Sequence, residues 1–151
     1  MRIPWSHLDL LDRPLPTALT TEMPDGRFQS TVVWCNRDGD DVLLNTMQEF
    51  QKARNLRARP RATVLVVDHD ADRWIEVRGV ALPEEEGAQE HLDELTRLYT
   101  GRSPYFGQVV DANLATIEHP IRYRLRPLRL LTGPVDLLRI ALRGGPQAPV
   151  R

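Results

Sequence analysis

Short segments of alternating apolar and polar residues, many of them β-branched, fill the first third of the chain. Three of them, residues 17–21, 29–35 and 41–46, have the composition and the alternation that are typical of β-strands. Turn-forming residues separate them, because residues 24–27 read Pro-Asp-Gly-Arg and residues 37–40 read Arg-Asp-Gly-Asp. Strands joined by Asp-Gly turns pair with their neighbours, so this region is predicted to be an antiparallel three-stranded meander.

Further strands are predicted in the rest of the chain. Residues 61–68 are apolar and β-branched, which indicates a buried strand, and residues 73–82 alternate, with Gly79 marking a predicted β-bulge. Residues 121–127 and 128–132 predict two late strands whose arginines point outward. About six or seven strands with few helices favour a mainly β fold that forms a small closed or nearly closed barrel.

Helical spacing is confined to three segments. Residues 1–14 are predicted to form an N-terminal helical segment, residues 48–57 a short helix, and residues 83–100 an amphipathic helix. We expect a single domain over residues 1–142. A Gly- and Pro-rich tail over residues 143–151 is predicted to be flexible.

The composition argues against several functional classes. The chain has 151 residues, a formal net charge of -1 and 41% apolar residues, which fits one globular domain and not a strongly basic nucleic-acid-binding protein. No apolar run reaches the roughly 20 residues of a membrane-spanning helix. The single cysteine, Cys35, cannot form an internal disulfide, so a cytoplasmic location is predicted. The sequence contains no hydrolase nucleophile motif and no Gly-rich phosphate-binding loop.

One basic residue differs from all the others. Of the 20 Lys and Arg residues, 19 are arginine and only Lys52 is lysine. Lysine carries a compact point charge, whereas arginine is a planar fork, so a lone lysine is a candidate for a place where arginine does not serve, the alternative being chance retention. Lys52 follows a predicted strand and begins a predicted helix, where phosphate would meet an ammonium group and free backbone N–H groups. The alternative is a solvated surface lysine.

Several sequence segments, in this order, resemble a known family. They are "QKARNL" followed by "RPRATVLV", the strand "WIEVRGVA", and "LYTGRSPYFG" after the long helix. Together they resemble the pyridoxamine 5′-phosphate oxidase-like superfamily of split β-barrels, and within it the flavin/deazaflavin oxidoreductases of the F420-dependent branch. The resemblance covers about Leu15 to Leu131. It implies a split β-barrel of the FMN-binding type and a homodimer with two cofactor sites at the subunit interface.

The resemblance also implies positions for the cofactor. The ring would lie beside the second strand, and a small polar pair would end the third. Lys52 would bind phosphate, and Arg54, Asn55 and Arg57 would extend a basic face toward an anionic tail, unless that face is simply solvated. The implied cofactor-binding residues are Ser30, Thr31, Val32, Val33, Asn45, Thr46, Lys52, Asn55 and, from the partner chain, Trp74.

Two hypotheses for the function follow. The first is an oxidoreductase that uses coenzyme F420 to transfer a hydride to a small unsaturated or aromatic substrate, held under the Tyr105-Phe106 loop. F420 is favoured over FMN because Thr31 and Gln51 stand where flavin oxidases of the superfamily often carry arginine. The alternatives are an FMN-dependent oxidoreductase and a non-catalytic protein that binds flavin, haem or a tetrapyrrole. No catalytic side chain is assigned.

Other polar and aromatic residues are given structural interpretations. The turn Asp68-His69-Asp70 is interpreted as solvated and not as a metal site. His91 lies among acidic residues on a predicted helix, so we expect it to be exposed. Trp34 and Cys35 are predicted to be core residues, and Trp74 either stacks on a ring or packs at an interface.

Overall fold

The computed structural model describes residues 1–134, so the predicted tail and the last part of the predicted domain lie outside the described residues. A single antiparallel sheet of seven strands forms most of the molecule and curls into a half-barrel, as a split barrel requires. The mainly β fold predicted from the sequence is therefore confirmed. The strands are β1 Thr17–Glu22, β2 Phe28–Val32, β3 Cys35–Asp38, β4 Asp41–Met47, β5 Arg61–Asp68, β6 Arg73–Glu84 and β7 Pro120–Pro134.

The sheet order is β2-β1-β5-β6-β7-β4-β3, which places two consecutive strands at opposite edges. Residues 29–35 were predicted to be one strand of a meander, and this prediction is wrong. The segment breaks at Val33 and Trp34, where β2 ends its pairing with β1 and β3 begins its pairing with β4. Because only two residues join the edges, the sheet has to curl until its edges nearly meet.

The interior of the half-barrel holds the hydrophobic core. Alternate residues of the strands point inward, and Tyr123, Leu44, Ile75 and Val64 are fully buried there. Cys35 is also fully buried, which confirms the prediction that it is a core thiol. Burial raises the pKa of the Cys35 thiol, so this sulfur is held in its unreactive form.

The predicted bulge at Gly79 is confirmed. The register between β6 and β7 shifts between Arg78 and Gly79, and a Cβ atom at Gly79 would lie 2.1 Å from the carbonyl oxygen of Arg126. Only glycine permits so close a backbone approach. The two late strands predicted over residues 121–127 and 128–132 are instead one continuous strand, β7. The strand continues through the register shift opposite Gly79 and pairs with β6 on both sides of it.

The helices are short and lie between strands. The N-terminal segment forms a 3-10 helix, Trp5–Leu11, and a second one covers Ala112–Thr116. The α-helices are α1 Gln51–Ala58, α2 Ala88–Thr100 and the irregular turn α3 Tyr105–Gln108. Among residues 1–134, no helix is long and apolar enough to cross a membrane.

Both longer helices begin later than the sequence pattern predicts. The amide of Phe50 bonds to the carbonyl oxygen of Met47, so residues 48–50 form a turn before α1. Glu84 belongs to β6 and not to the helix, because its carboxylate accepts hydrogen bonds from Arg122 and Arg124 on β7. Glu84, which the sequence pattern places at the start of the helix, therefore forms ion pairs between strands instead.

Asp68 ties the N-terminal segment to the barrel. Its carboxylate is buried, accepts a short hydrogen bond from Arg13 and lies 3.6 Å from Arg73. Asp9 bridges the same two arginines, at 3.0 Å from Arg13 and 2.7 Å from Arg73. The prediction of a solvated turn is therefore wrong for Asp68, although His69 and Asp70 are exposed. The hydrogen bond from Arg13 holds the pKa of Asp68 below its usual value.

The variant Asp68→Asn is expected to lower the free energy of unfolding at pH 7 by about 2 kcal/mol, because it removes charge-assisted hydrogen bonds to a buried group. A carboxylate with a lowered pKa stabilises the fold above its unfolded pKa, and this contribution is lost as the pH falls through the folded pKa. The difference in the free energy of unfolding between the parent and Asp68→Asn should therefore become smaller at acidic pH. Urea unfolding at several pH values measures it.

The control is Asp70→Asn, which neutralises an exposed carboxylate two residues away. We expect it to unfold like the parent. Equal stability of Asp68→Asn and Asp70→Asn at pH 7 would contradict the structural role given to the buried carboxylate.

Candidate functional site

A cleft of about 160 Å³, partly open to solvent, lies where the β2–β3 link, the end of β4 and the start of α1 come together. α2 closes the cleft from the side, since it packs against β4 and β7. The lining residues are Val32, Val33, Trp34, Asn45, Thr46, Met47, Phe50, Lys52, Leu92, Leu95 and Tyr105.

Five of the nine predicted cofactor-binding residues line this cleft. Val32 and Val33 reach it from the link, Asn45 and Thr46 from the end of β4, and Lys52 from the first turn of α1. They meet because β4 lies next to the edge strand that the link feeds. The closing of the sheet thus brings together residues that are up to 20 positions apart in sequence.

The other four predicted residues lie outside the lining. Ser30 is exposed on β2, where its hydroxyl is 2.8 Å from that of Thr20. Asn55 is fully buried, and its amide donates to the hydroxyl oxygen of Thr21 at 3.0 Å. The remaining two are Thr31, whose hydroxyl is buried without a partner among the described residues, and Trp74, which packs against Gly133.

Lys52 is half-buried at the start of α1. Its Nζ lies 5.9 Å from the centre of the Phe50 ring, and it forms no ion pair with any described residue. Burial lowers the pKa of the ammonium group. The N-cap residue of α1 is Phe50, whose side chain accepts no hydrogen bond from the helix. A cation without an ion pair in the described part of the chain and an uncapped helix N-terminus therefore lie at the cleft, and both favour an anion.

Two side chains at the end of β4 have buried polar atoms without partners in the described chain. They are the Oδ1 of Asn45 and the Oγ1 of Thr46. An unsatisfied buried polar group costs about 1–3 kcal/mol. A ligand that donates hydrogen bonds to this wall would recover that free energy, so the wall fits a polar heterocyclic edge.

Aromatic rings also line the cleft. Trp34 stacks on Tyr99 with ring centres 5.4 Å apart, and Tyr105 meets Trp34 edge-on at 6.2 Å. Trp34 was predicted to be a core residue, but it is half-buried and lines the cleft because the link turns it out of the strand. Such a flat apolar wall suits a planar ligand. Sequence periodicity could not reveal it, since the break at Val33 and Trp34 carries no Gly or Pro signal.

His91 lies behind the polar wall. It was predicted to be exposed, but only 3% of its surface is accessible, because α2 turns this face toward β4. Its Nε2 lies 2.8 Å from the Oδ1 of Asn36, and its Nδ1 lies 3.2 Å from the Nδ2 of Asn45. Burial, helped by Arg122, lowers the pKa of His91 to about 4.

The comparisons with known proteins agree with this geometry. A family model described as pyridoxamine 5′-phosphate oxidase matches residues 6–120. The chain belongs to this family. A comparison with curated proteins gives no match. Members of the pyridoxamine 5′-phosphate oxidase family bind flavin-type cofactors, and the unpaired lysine, the unpartnered polar atoms and the aromatic wall of this cleft fit such a group.

Solved structures of the family resemble the chain over most of its length. A protein named F420 reductase is 26% identical, with a TM-score of 0.71 over 85% of this chain and 98% of that one. A conserved hypothetical protein from Mycobacterium tuberculosis is 25% identical, with a TM-score of 0.67 over 91% of this chain and 88% of that one. PhzG from Burkholderia lata is 24% identical, with a TM-score of 0.58 over 84% of this chain and 74% of that one, and supports the fold alone.

The burial of His91 predicts a pH-dependent stability. In the unfolded chain a histidine binds a proton near pH 6.5, whereas the folded pKa is about 4. Between these values the unfolded state binds more protons, so the free energy of unfolding should fall by up to roughly 3 kcal/mol as the pH drops from 6.5 to 4. In His91→Gln the free energy of unfolding should change much less between pH 6.5 and 4. Urea unfolding at several pH values measures this dependence.

His69→Gln is the matched control, because it removes an exposed imidazole from the turn between β5 and β6. We expect it to keep the slope of the parent. A parent curve that is flat between pH 6.5 and 4 would show that His91 is not buried as a neutral group.

Proposed function

We propose that the protein is an oxidoreductase that binds coenzyme F420 in this cleft and transfers a hydride to a small unsaturated or aromatic substrate. One observation carries the proposal. Lys52, the only lysine of the chain, lies half-buried at an uncapped helix N-terminus and forms no ion pair within residues 1–134. It lines a cleft whose polar wall has two atoms without partners among the same residues. This arrangement is matched to a planar polar heterocycle that carries a phosphate.

Each part of the cleft has a separate task. Lys52 and the first N–H groups of α1 would bind the phosphate. Asn45 and Thr46 would bond to the polar edge of the ring with the two atoms that lack partners in the described chain. Val32 and Val33 would pack against the ring.

The reduced deazaflavin, when bound, supplies a hydride. The described residues supply position and exclusion of water. Trp34 and Tyr105 form an aromatic wall on which a planar substrate would stack, and Tyr105 is half-buried, with a pKa raised chiefly by burial. The phenol of Tyr105 is therefore a neutral hydrogen-bond donor at physiological pH.

Three features favour F420 over FMN. Thr31 and Gln51 stand where flavin oxidases of the superfamily often have arginine, and Gln51 is already engaged, since its amide donates to Asn55 at 2.8 Å. In addition, a neighbour named F420 reductase covers 85% of this chain at 26% identity. At the exposed end of α1, Arg54 and Arg57 could accompany an anionic tail, which F420 has and FMN lacks.

A second copy of the chain would complete the site. The outer face of the sheet exposes Phe28, Val32 and Leu128, with 74%, 81% and 61% of their surfaces accessible. Val32 belongs both to this face and to the cleft. A homodimer that covers this face would shield these apolar side chains and would bring Trp74 of one chain toward the cleft of the other.

Titration of the purified protein with coenzyme F420 and with FMN tests the proposed function. Calorimetry or quenching of the intrinsic cofactor fluorescence should give tighter binding of F420. Tight binding of FMN without measurable binding of F420 would reverse the choice of cofactor. Binding of F420 without oxidation of its reduced form by any quinone, nitro compound or other electron-poor acceptor would favour a non-catalytic binding protein.

The variant Lys52→Ala is expected to raise the dissociation constant for F420 tenfold to a hundredfold, because a charge-assisted hydrogen bond is typically worth about 1.5–3 kcal/mol. Lys52→Arg should recover only part of the affinity, since its fork differs in shape from an ammonium group. The melting temperature without cofactor should hardly change. Calorimetric titration with F420 measures the dissociation constants of the parent and of both variants.

Arg27→Ala is the control for loss of a single positive charge, because Arg27 lies in the exposed turn between β1 and β2. We expect parent-like binding. If Lys52→Ala and Lys52→Arg also bind like the parent, Lys52 is a solvated residue and the phosphate does not lie at α1.

The homodimer is tested by sedimentation velocity at micromolar concentration. The parent is expected to sediment as a dimer, and Leu128→Glu is expected to shift it toward the monomer, because a buried carboxylate would oppose the apolar contact. A parent that remains monomeric would refute the interface and the contribution of Trp74.

A further inference from the structure

A line of hydrogen bonds runs from the cleft through the molecule to the surface groove beside α2. In the cleft, the Nδ2 of Asn45 donates to the carbonyl oxygen of Ala88 at 2.8 Å and lies 3.2 Å from the Nδ1 of His91. The Nε2 of His91 lies 2.8 Å from the Oδ1 of Asn36, whose Nδ2 donates to Glu94 at 3.0 Å. Asn36 and Glu94 line the groove.

Both ends of this line can only accept hydrogen bonds. A backbone carbonyl oxygen stands at one end, at Ala88, and an ionised carboxylate at the other, at Glu94. The amide of Asn45 must therefore donate at its end, and the amide of Asn36 must donate at the opposite end. The imidazole between them is left with one consistent state, in which Nδ1 accepts from Asn45 and Nε2–H donates to Asn36.

The reversed arrangement is excluded at both ends. If the Asn45 carboxamide turned over, its oxygen would face the carbonyl oxygen of Ala88, which is an acceptor against an acceptor. If Asn36 turned over as well, its oxygen would face the carboxylate of Glu94. Two repulsive contacts would replace two hydrogen bonds, so the polarity of the whole line is fixed.

We propose that His91 is a positioning residue that holds the Asn45 carboxamide with both of its amide hydrogens engaged, so that Asn45 offers a bound ligand an acceptor only. The Oδ1 of Asn45 has no partner in the described chain, in agreement with this role. The position then selects a ligand edge that carries a donor, such as the N–H of a heterocyclic imide. The inference rests on the proposed function and specifies which edge of the cofactor Asn45 would bind, namely one that carries a hydrogen-bond donor.

The surroundings of His91 keep the imidazole neutral. Arg122 on β7 disfavours the charged form, Glu84 on β6 favours it, and burial outweighs both, so that the pKa is about 4. An imidazolium would present a donor at Nδ1 and would push the Asn45 amide away. At physiological pH the acceptor at Nδ1 is therefore preserved.

Variants that keep one half of the imidazole test the proposal. His91→Asn places an amide oxygen near the position of Nδ1 and keeps the acceptor for Asn45, whereas His91→Gln keeps only a donor toward Asn36. His91→Gln and Asn45→Ala are each expected to weaken F420 binding about tenfold, and His91→Asn is expected to restore binding to within about threefold of the parent. The double variant His91→Gln/Asn45→Ala should bind no more weakly than Asn45→Ala. Glu90→Gln, an exposed change on the same helix, is the control.

A purely structural His91 would give a different pattern. Its variants would lower affinity in proportion to the loss in melting temperature, and the effects of His91→Gln and Asn45→Ala would add. Either additivity in the double variant, or parent-like F420 binding by His91→Gln, would overturn the proposal.

A measurement without any cofactor separates this inference from the proposed function. Long-range ¹H–¹⁵N spectra of the cofactor-free protein, with His91 assigned by comparison with His91→Gln, report which imidazole nitrogen carries the proton. The neutral Nε2–H form is expected at pH 7, and an Nδ1–H form or an imidazolium would overturn the proposal. If neither F420 nor FMN binds the parent, the proposed function fails, and the spectra still decide how Asn45 is held.

Discussion

The two-residue link between β2 and β3 is the constraint on which the rest of the structure depends. Three peptide units from Val32 to Cys35 can span about 11 Å at most, yet these residues belong to strands at opposite edges of a seven-stranded sheet. The sheet can satisfy this limit only by curling, and the curl creates both the buried core and the cleft. The link itself forms one wall of that cleft, through Val33 and Trp34.

The buried carboxylate of Asp68 and the half-buried ammonium group of Lys52 differ in how their charges are compensated within the described chain. At the N-terminal segment, Asp68 is buried but is bonded to Arg13 and to the amide of Ala71, so that its charge is compensated. At the end of β4, the atoms without partners belong to Asn45 and Thr46, next to the unpaired Lys52. Polar atoms without described partners that lie next to a cation in a cleft are a pattern expected of a binding site, because a ligand can satisfy them.

His91 shows how a residue can control a site that it does not itself line. α2 begins with Ala88, whose carbonyl oxygen fixes one hydrogen of Asn45, and one turn later His91 fixes the other. The Oδ1 of Asn45 is then the one atom of the carboxamide left to bond to a ligand, and this oxygen can only accept a hydrogen bond. Glu94, on the surface side of the same helix, sets the polarity of the line through Asn36. A charge at the surface thereby helps to define the chemistry of the cleft.

The sequence by itself determined the features that depend on neighbours along the chain. The β-branched alternation predicted most strands, Gly79 predicted the bulge, and the spacing after β4 predicted the short helix that carries Lys52, because strand period, glycine conformation and helical spacing are local properties. Only the tertiary structure decided that residues 29–35 divide between the two edges, that Trp34 faces the cleft, and that His91 and Asp68 are buried. These outcomes depend on strand order and on partners as distant as Arg13 and Asn36, and a pairing of that kind leaves no periodic signal in the chain.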